Sequence, residues 1–437
     1  MNKVALCTIV AALTVPPALG QENPFLRGRY TPVPERDQPE FDPVPLRAGS
    51  FFVDSSLGVG AEYNDNIYAQ DTPTTEDTIL TLNPTAELYS SWSVHALGAG
   101  VNVNHREYTE ESSESVTDYS AFANGRLDIT RNAFASGRVY GGRLSEQRYA
   151  PSAVNNAAEP ARYDEMGAEV SGTIRRDRIQ LQASVGTEQE DWDAVPLIPD
   201  PLNPGGPTSV SNDFRDVTEN SVYTRASYAV SPDIAIFAQA RATELDYDLA
   251  TDPAGFNRDA TRLNGQVGAS FELAAPFRGD IAVGYIHENK YDSALENTDG
   301  LSVDGELLWF PTQLTTVTVD GRRTIYDPGL TGSSSAILTQ FGGRVDHELR
   351  RNWVVFGEAS TSTTDFKGGV PGLAPGSVVP IDREDQIVSF GGGLGYKLNR
   401  NARINATYTF RTQDSSGVNS GREFDQNILG VELRVYP

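Results

Sequence analysis

Four histidines and one cysteine are the only imidazole or thiol groups in the 437-residue chain. His95, His105, His287 and His347 lie far apart, with no HExxH spacing that would put two imidazoles on one helical face. Cys7 falls in an apolar leader, so the rest of the chain has no disulfide, thiolate metal site or cysteine nucleophile. No nucleophile elbow occurs. Gly391-Gly392-Gly393 has no helix after it to cradle phosphate, and reads as a bend or a place of close packing. Asn64-Asp65-Asn66 lacks the spacing of a calcium loop. Nothing here indicates catalysis or a bound cofactor.

Arginine is the residue with chemistry to offer. Lys+Arg number 35, of which four are Lys, leaving 31 Arg (35 − 4). Its planar, permanently charged fork suits two-point hydrogen bonding to carboxylates. Arg126, Arg138, Arg178, Arg241, Arg322, Arg403, Arg411 and Arg434 alternate with apolar residues, as do Gln180, Gln182, Asn405 and Glu432. These polar positions can line an aqueous interior. There the arginines either guide anionic sugars such as uronates or pair with neighbouring carboxylates and stiffen the wall. Asp65, Asp71, Glu76, Asp77, Glu110, Glu111, Glu114, Glu188, Glu190, Asp191, Asp193, Asp246 and Asp248 cluster in or beside long connections. They bind divalent cations bridging to lipopolysaccharide, favour cations at the mouth, or are simply solvated. The formal charge of −24, and −25 without Lys3 (−24 − 1), excludes a nucleic-acid partner, whose phosphates require a basic surface.

Such positions need strands to hold them. Ile179, Leu181, Ala183 and Val185 alternate with Gln180, Gln182 and Ser184. Ala402, Ile404, Ala406, Tyr408 and Phe410 alternate with Arg403, Asn405, Thr407, Thr409 and Arg411. A period of two is that of a strand with two chemically different faces. Eighteen such segments run from 51–63 to 423–436. Eight short connections alternate with nine long ones. The expected fold is all-β, a transmembrane up-and-down antiparallel β-barrel of eighteen strands, with both termini on the periplasmic side.

Aromatics collect at strand ends. Tyr89, Trp92, Phe134, Tyr228, Phe277, Trp309, Phe310, Trp353 and Tyr396 sit by short turns. Tyr63, Tyr108, Tyr119, Trp192, Phe214, Tyr247, Tyr291, Tyr326 and Phe366 sit by long loops. Two interfacial girdles are expected from them. Residues 1–20 read as a secretory signal peptide: Lys3, an apolar run, and small residues before Gln21. Residues 21–50 carry six prolines and are expected to be disordered, periplasmic chain. Residues 51–437 are the expected barrel.

The opening also resembles a known family. Residues 34–50 (PERDQPEFDPVPLRAGS), 51–68 (FFVDSSLGVGAEYNDNIY), 78–84 (TILTLNP) and 91–100 (SWSVHALGAG) resemble the putative β-barrel porin 2 family of bacterial outer-membrane proteins. The resemblance implies a Gram-negative outer-membrane barrel; such a barrel is expected to contact lipid and lipopolysaccharide and to have its last strand read by the barrel-assembly machinery. The resemblance also implies a role beside exopolysaccharide or capsule export, with a periplasmic polysaccharide-export lipoprotein as partner. Passage of hydrophilic solute is the leading expectation. A general diffusion porin and a closed structural or surface-binding barrel remain the alternatives.

Overall fold

The computed structural model describes residues 28–154, 156–199, 205–273, 276–330, 333, 335–371, 378–380, 383–417 and 420–437. The expected signal peptide lies outside them. Eighteen long strands form the wall. They are β1 Phe51–Asn64, β2 Asp77–Ser90, β3 Ala96–Tyr108, β4 Val116–Thr130, β5 Ala133–Ser145, β6 Arg162–Arg176, β7 Ile179–Trp192, β8 Val217–Ser231 and β9 Ile234–Tyr247. They continue with β10 Ala260–Glu272, β11 Phe277–Lys290, β12 Thr298–Thr312, β13 Thr315–Tyr326, β14 Ser335–Arg350, β15 Trp353–Lys367, β16 Arg383–Asn399, β17 Ala402–Gly417 and β18 Phe424–Val435. Each strand pairs antiparallel with the next. The sheet closes where β1 pairs with β18, from Leu57↔Val435 to Asn64↔Ile428. No sheet edge is left along that stretch, which lets strands cross a membrane with their backbone groups satisfied.

Five of the eight hairpins at the short-turn end share a device. At 128/130, 229/231, 309/312, 348/350 and 397/399 the register shifts just before the turn. One extra residue there bends the strand into a tight reversal.

Burial is inverted relative to a water-soluble protein. Val267 is 61 % exposed and Val170, Val185 and Val222 are similarly open. Ser302, Gln266 and Arg411 on the opposite face are buried. The apolar residues form an outer band suited to lipid, and the interior is polar. Gln239 Nε2 donates to Gln266 Oε1 at 2.6 Å, and Gln266 Nε2 donates to Ser302 Oγ at 2.9 Å. The glycine run of β16 makes room for the wall to pack. A Cβ on Gly393 would lie 2.6 Å from the Phe356 ring and 2.7 Å from the Ala406 carbonyl oxygen.

The Pro-rich segment differs from its expectation. Residues 28–48 are folded against the barrel at the short-turn end. Gly28 and Arg29 donate backbone N–H groups to the Glu272 carboxylate, at 3.0 and 2.5 Å. Tyr30 stacks on Phe310 at 5.1 Å. Val33 N donates to Thr316 Oγ1 at 3.0 Å, and Arg36 pairs with Glu348 at 3.1 Å. Lys397 donates to Gln38 and Asp42. The segment therefore follows the wall from β10 round to β16, and Leu46–Ala48 pairs with the start of β1. Composition misled here because the rim supplies the partners. Carboxylates and hydroxyls of distant strands satisfy a backbone that has no core of its own.

Candidate functional site

The lumen wall is built by alternation. Arg126, Arg138, Gln180, Gln182, Arg241, Arg322, Arg403, Asn405, Arg411, Glu432 and Arg434 all lie on strand faces opposite the exposed apolar side chains. Arg178 does not. It occupies the turn between β6 and β7, after Asp177 with φ 52°, and is exposed at the rim. The alternating run extends one residue short of where the sequence suggested, because the reversal consumes Asp177 and Arg178.

Most of these arginines are already engaged. Arg126 pairs with Asp128 at 2.9 Å over the Phe134 ring. Arg434 pairs with Glu432 at 2.8 Å and donates to Ser56 at 3.0 Å. Asn405 reaches the same Glu432. Arg411 donates to Gln426 and stacks on Tyr149. Arg138 lies over Phe122 and Tyr140. Arg241 reaches Ser221, and Arg322 meets Asp304 only at 3.9 Å. Sequence reasoning overlooked further engaged arginines, Arg225 and Arg344 among them. Arg225 binds Asp280 and Ser270 above Phe237, and Arg344 binds Asp346 and Glu358 above Phe356. Arg126, Arg322 and Arg434 thus meet carboxylates, Arg138, Arg241 and Arg411 meet rings, a hydroxyl or an amide, and the Nε of Arg403 is buried without a hydrogen-bond partner.

The long-loop mouth is tied together by four loop arginines. Arg148 pairs with Glu114 of the 109–115 loop. Arg215 pairs with Glu146 at 2.9 Å, stacks on Trp192, and packs against Gly329 from the far side of the mouth. Arg258, 2 % exposed, binds Asp327 at 2.5 Å, Leu330 O at 2.9 Å, Ser333 O at 3.2 Å and Asp252 at 3.5 Å. Tyr247 also donates to Asp327. Arg422 donates to the carbonyls of Tyr68, Arg148 and Ala153. Seven of the nine long connections are joined in this way. Burial pushes Asp327 up, but Arg258 outweighs it and holds the carboxyl below its ordinary value. Asp216 is pushed up to about 6 by burial, against the Trp192 N–H and with Asp191, Asp213 and Asp248 adding. Lone arginines in acidic loops were the available signal for these latches.

The rim carboxylates are not uniformly solvated. Asp77 is 3 % exposed and accepts from Thr109, Glu110 and Glu111, and Glu114 is 2 % exposed. The girdles are likewise partial. Phe277 and Trp309, and Trp353 and Tyr396, pair on the outer face. Tyr108, Trp192, Tyr247 and Phe366 are buried on the inner face instead. Strand-end position attracted the assignment, but parity decides which face a ring takes.

A closed antiparallel wall with an apolar outside and a polar, ion-paired inside defines an outer-membrane β-barrel of porin-like fold. The model of the putative β-barrel porin 2 family matches residues 38–436, and the chain belongs to that family. No curated protein matches. Among solved structures, the chain is similar to Pseudomonas aeruginosa OccK2 (OpdF) in complex with glucuronate, at 10 % identity. That match covers 88 % of this chain and 98 % of the other, with TM-score 0.46. It is similar to the copper transporter OprC at 10 % identity, over 90 % of this chain and 84 % of that one, TM-score 0.45. The FrpB iron transporter of Neisseria meningitidis matches at 9 % identity over 83 % and 62 %, TM-score 0.46.

Proposed function

We propose that the barrel is a gated passage for hydrophilic solute across the outer membrane. Its short-turn end and both termini face the periplasm. Its specific role is exopolysaccharide or capsule export beside a periplasmic polysaccharide-export lipoprotein. The observation that carries the reading is a polar lumen capped by latched loops. An eighteen-stranded wall is too wide for strand side chains to fill, so loops must set the bore. The 28–48 segment supports an export partner, since it places ordered peptide at the mouth such a partner would approach. The latched loops disfavour the general diffusion porin. They favour, as a second reading, a closed structural or surface-binding barrel. Deleting the gene and measuring secreted polysaccharide tests export, and an unchanged yield would sink it. Current through a latch-broken variant separates passage from the closed barrel.

A further inference from the structure

The unbalanced charge in the lumen is carboxylate. Glu165 and Glu169 on β6, Glu188 and Glu190 on β7, and Glu219 on β8 share the inner face just below the long-loop mouth. The register sets Glu165 directly opposite Glu190, and Glu188 directly opposite Glu219. Like charges directly across a strand pair are destabilising. Yet none of the five lies within ion-pair distance of a described Arg or Lys, unlike Asp280, Glu288, Asp346 and Glu358. The nearby cations are otherwise occupied. Arg215 holds Glu146 and Arg262 holds Glu288, while Arg138, stacked over two rings, attracts Glu165 and Glu169 only from beyond ion-pair distance. Glu188 accepts from Tyr140 and Glu190 from Trp192, both neutral donors that leave the negative charge in place. Glu165 is 5 % exposed, faces this wall, and makes no hydrogen bond or ion pair with any described residue. A carboxylate this little exposed, with no hydrogen-bond donor and with glutamates facing it, favours a counter-ion drawn from the lumen.

We infer that this glutamate wall is a cation station that makes the passage cation-selective, taking hydrated cations and amine-bearing or neutral sugars and turning away polyanions. The ligand is a hydrated or ammonium cation. Among the described residues, no trio of His, Cys, Asp or Glu is arranged to chelate a metal. A charged patch between low-dielectric walls concentrates counter-ions and repels co-ions. The wall sits where entering or leaving solute must pass, between the loop latches and the mid-lumen. This inference rests on the passage reading and narrows its solute class.

The test is the reversal potential of the full-length protein in a planar bilayer under a potassium chloride gradient. It is recorded for the natural chain and for Arg258→Ala, which loosens the mouth. K⁺ is expected to permeate at least about tenfold better than Cl⁻. Combining Glu165→Gln, Glu188→Gln, Glu190→Gln and Glu219→Gln should bring the ratio to within about twofold of unity. Heat-modifiable gel mobility reports that each barrel is folded. A current that is anion-selective, or whose cation preference survives the four substitutions, overturns the cation station and leaves the passage standing. Silence in both the natural chain and Arg258→Ala overturns the passage itself.

Discussion

Arg258→Ala should unlatch the long-loop mouth without dismantling the barrel. The Arg258 guanidinium and the Asp252 carboxylate are each 2 % exposed, and Asp327 is 17 % exposed. Removing Arg258 leaves two buried carboxylates unpaired and frees the carbonyls of Leu330 and Ser333. Breaking a buried pair from one side costs roughly 3–5 kcal/mol. At about 1.4 kcal/mol per decade, the open form of this loop pair should gain roughly two to four orders of magnitude in population. Gly329 N–H donates to Asp327, and Ala254 and Phe256 N–H donate to Asp252, so these three amides report the latch. Hydrogen exchange in detergent or nanodiscs should speed at all three by at least about a hundredfold, with mid-strand amides unchanged. Arg258→Lys keeps the charge but loses the fork, and should fall between. Amides that stay within about threefold of the natural rate in the alanine variant would refute the latch.

Further outcomes follow from the same contacts. Glu272→Ala removes the acceptor of Gly28 and Arg29, each bond to that carboxylate being worth about 1.5–3 kcal/mol, and should expose residues 28–48 to protease while the barrel resists. Val267→Arg on the lipid face should destabilise by roughly 2–4 kcal/mol in a refolding titration, whereas the same change at Gln266 should cost far less. Gly393→Val collides with Phe356 and should lower the melting point of the heat-modifiable band by an amount matching about 1–3 kcal/mol. Acid acts on the loops in two directions. Asp327, held below its ordinary value, stabilises the latch above about pH 4, and that share is lost as pH falls through its lower folded value. Asp216, pushed up to about 6, costs stability while ionised and is relieved as pH falls from about 6 towards 4. Exchange at the Asp248 amide, which donates to the Asp216 carbonyl, should therefore slow between pH 7 and 5 after correction for intrinsic rate. Exchange at Gly329 should rise only in stronger acid.

Strand number and turn placement were legible because each strand carries its own period of two, a local property that survives any tertiary arrangement. Ile179 to Val185 and Ala402 to Phe410 face as their alternation requires. What the period could not show was which partner an inward residue meets. Arg126 and Arg434 find carboxylates two residues away, a contact visible in retrospect as an i, i+2 pair on one face. Arg215 meets Glu146 and Gly329, and Arg258 meets Asp327, through loops whose course no local pattern fixes. The ordered 28–48 segment was hidden for the same reason, since its stabilising groups lie more than 200 residues away, at Asp233, Glu272, Thr316 and Glu348. The glutamate wall was half visible. Glu188 and Glu190 were read as rim charge, but only the register sets them against Glu165 and Glu219.

The central claim is a polar passage held shut by its loops. Single-channel recording of the natural chain beside Arg258→Ala tests it most directly. Brief, rare openings in the natural chain and long, large ones in the variant are predicted. A large steady conductance that is the same in both, or none in either, would contradict it.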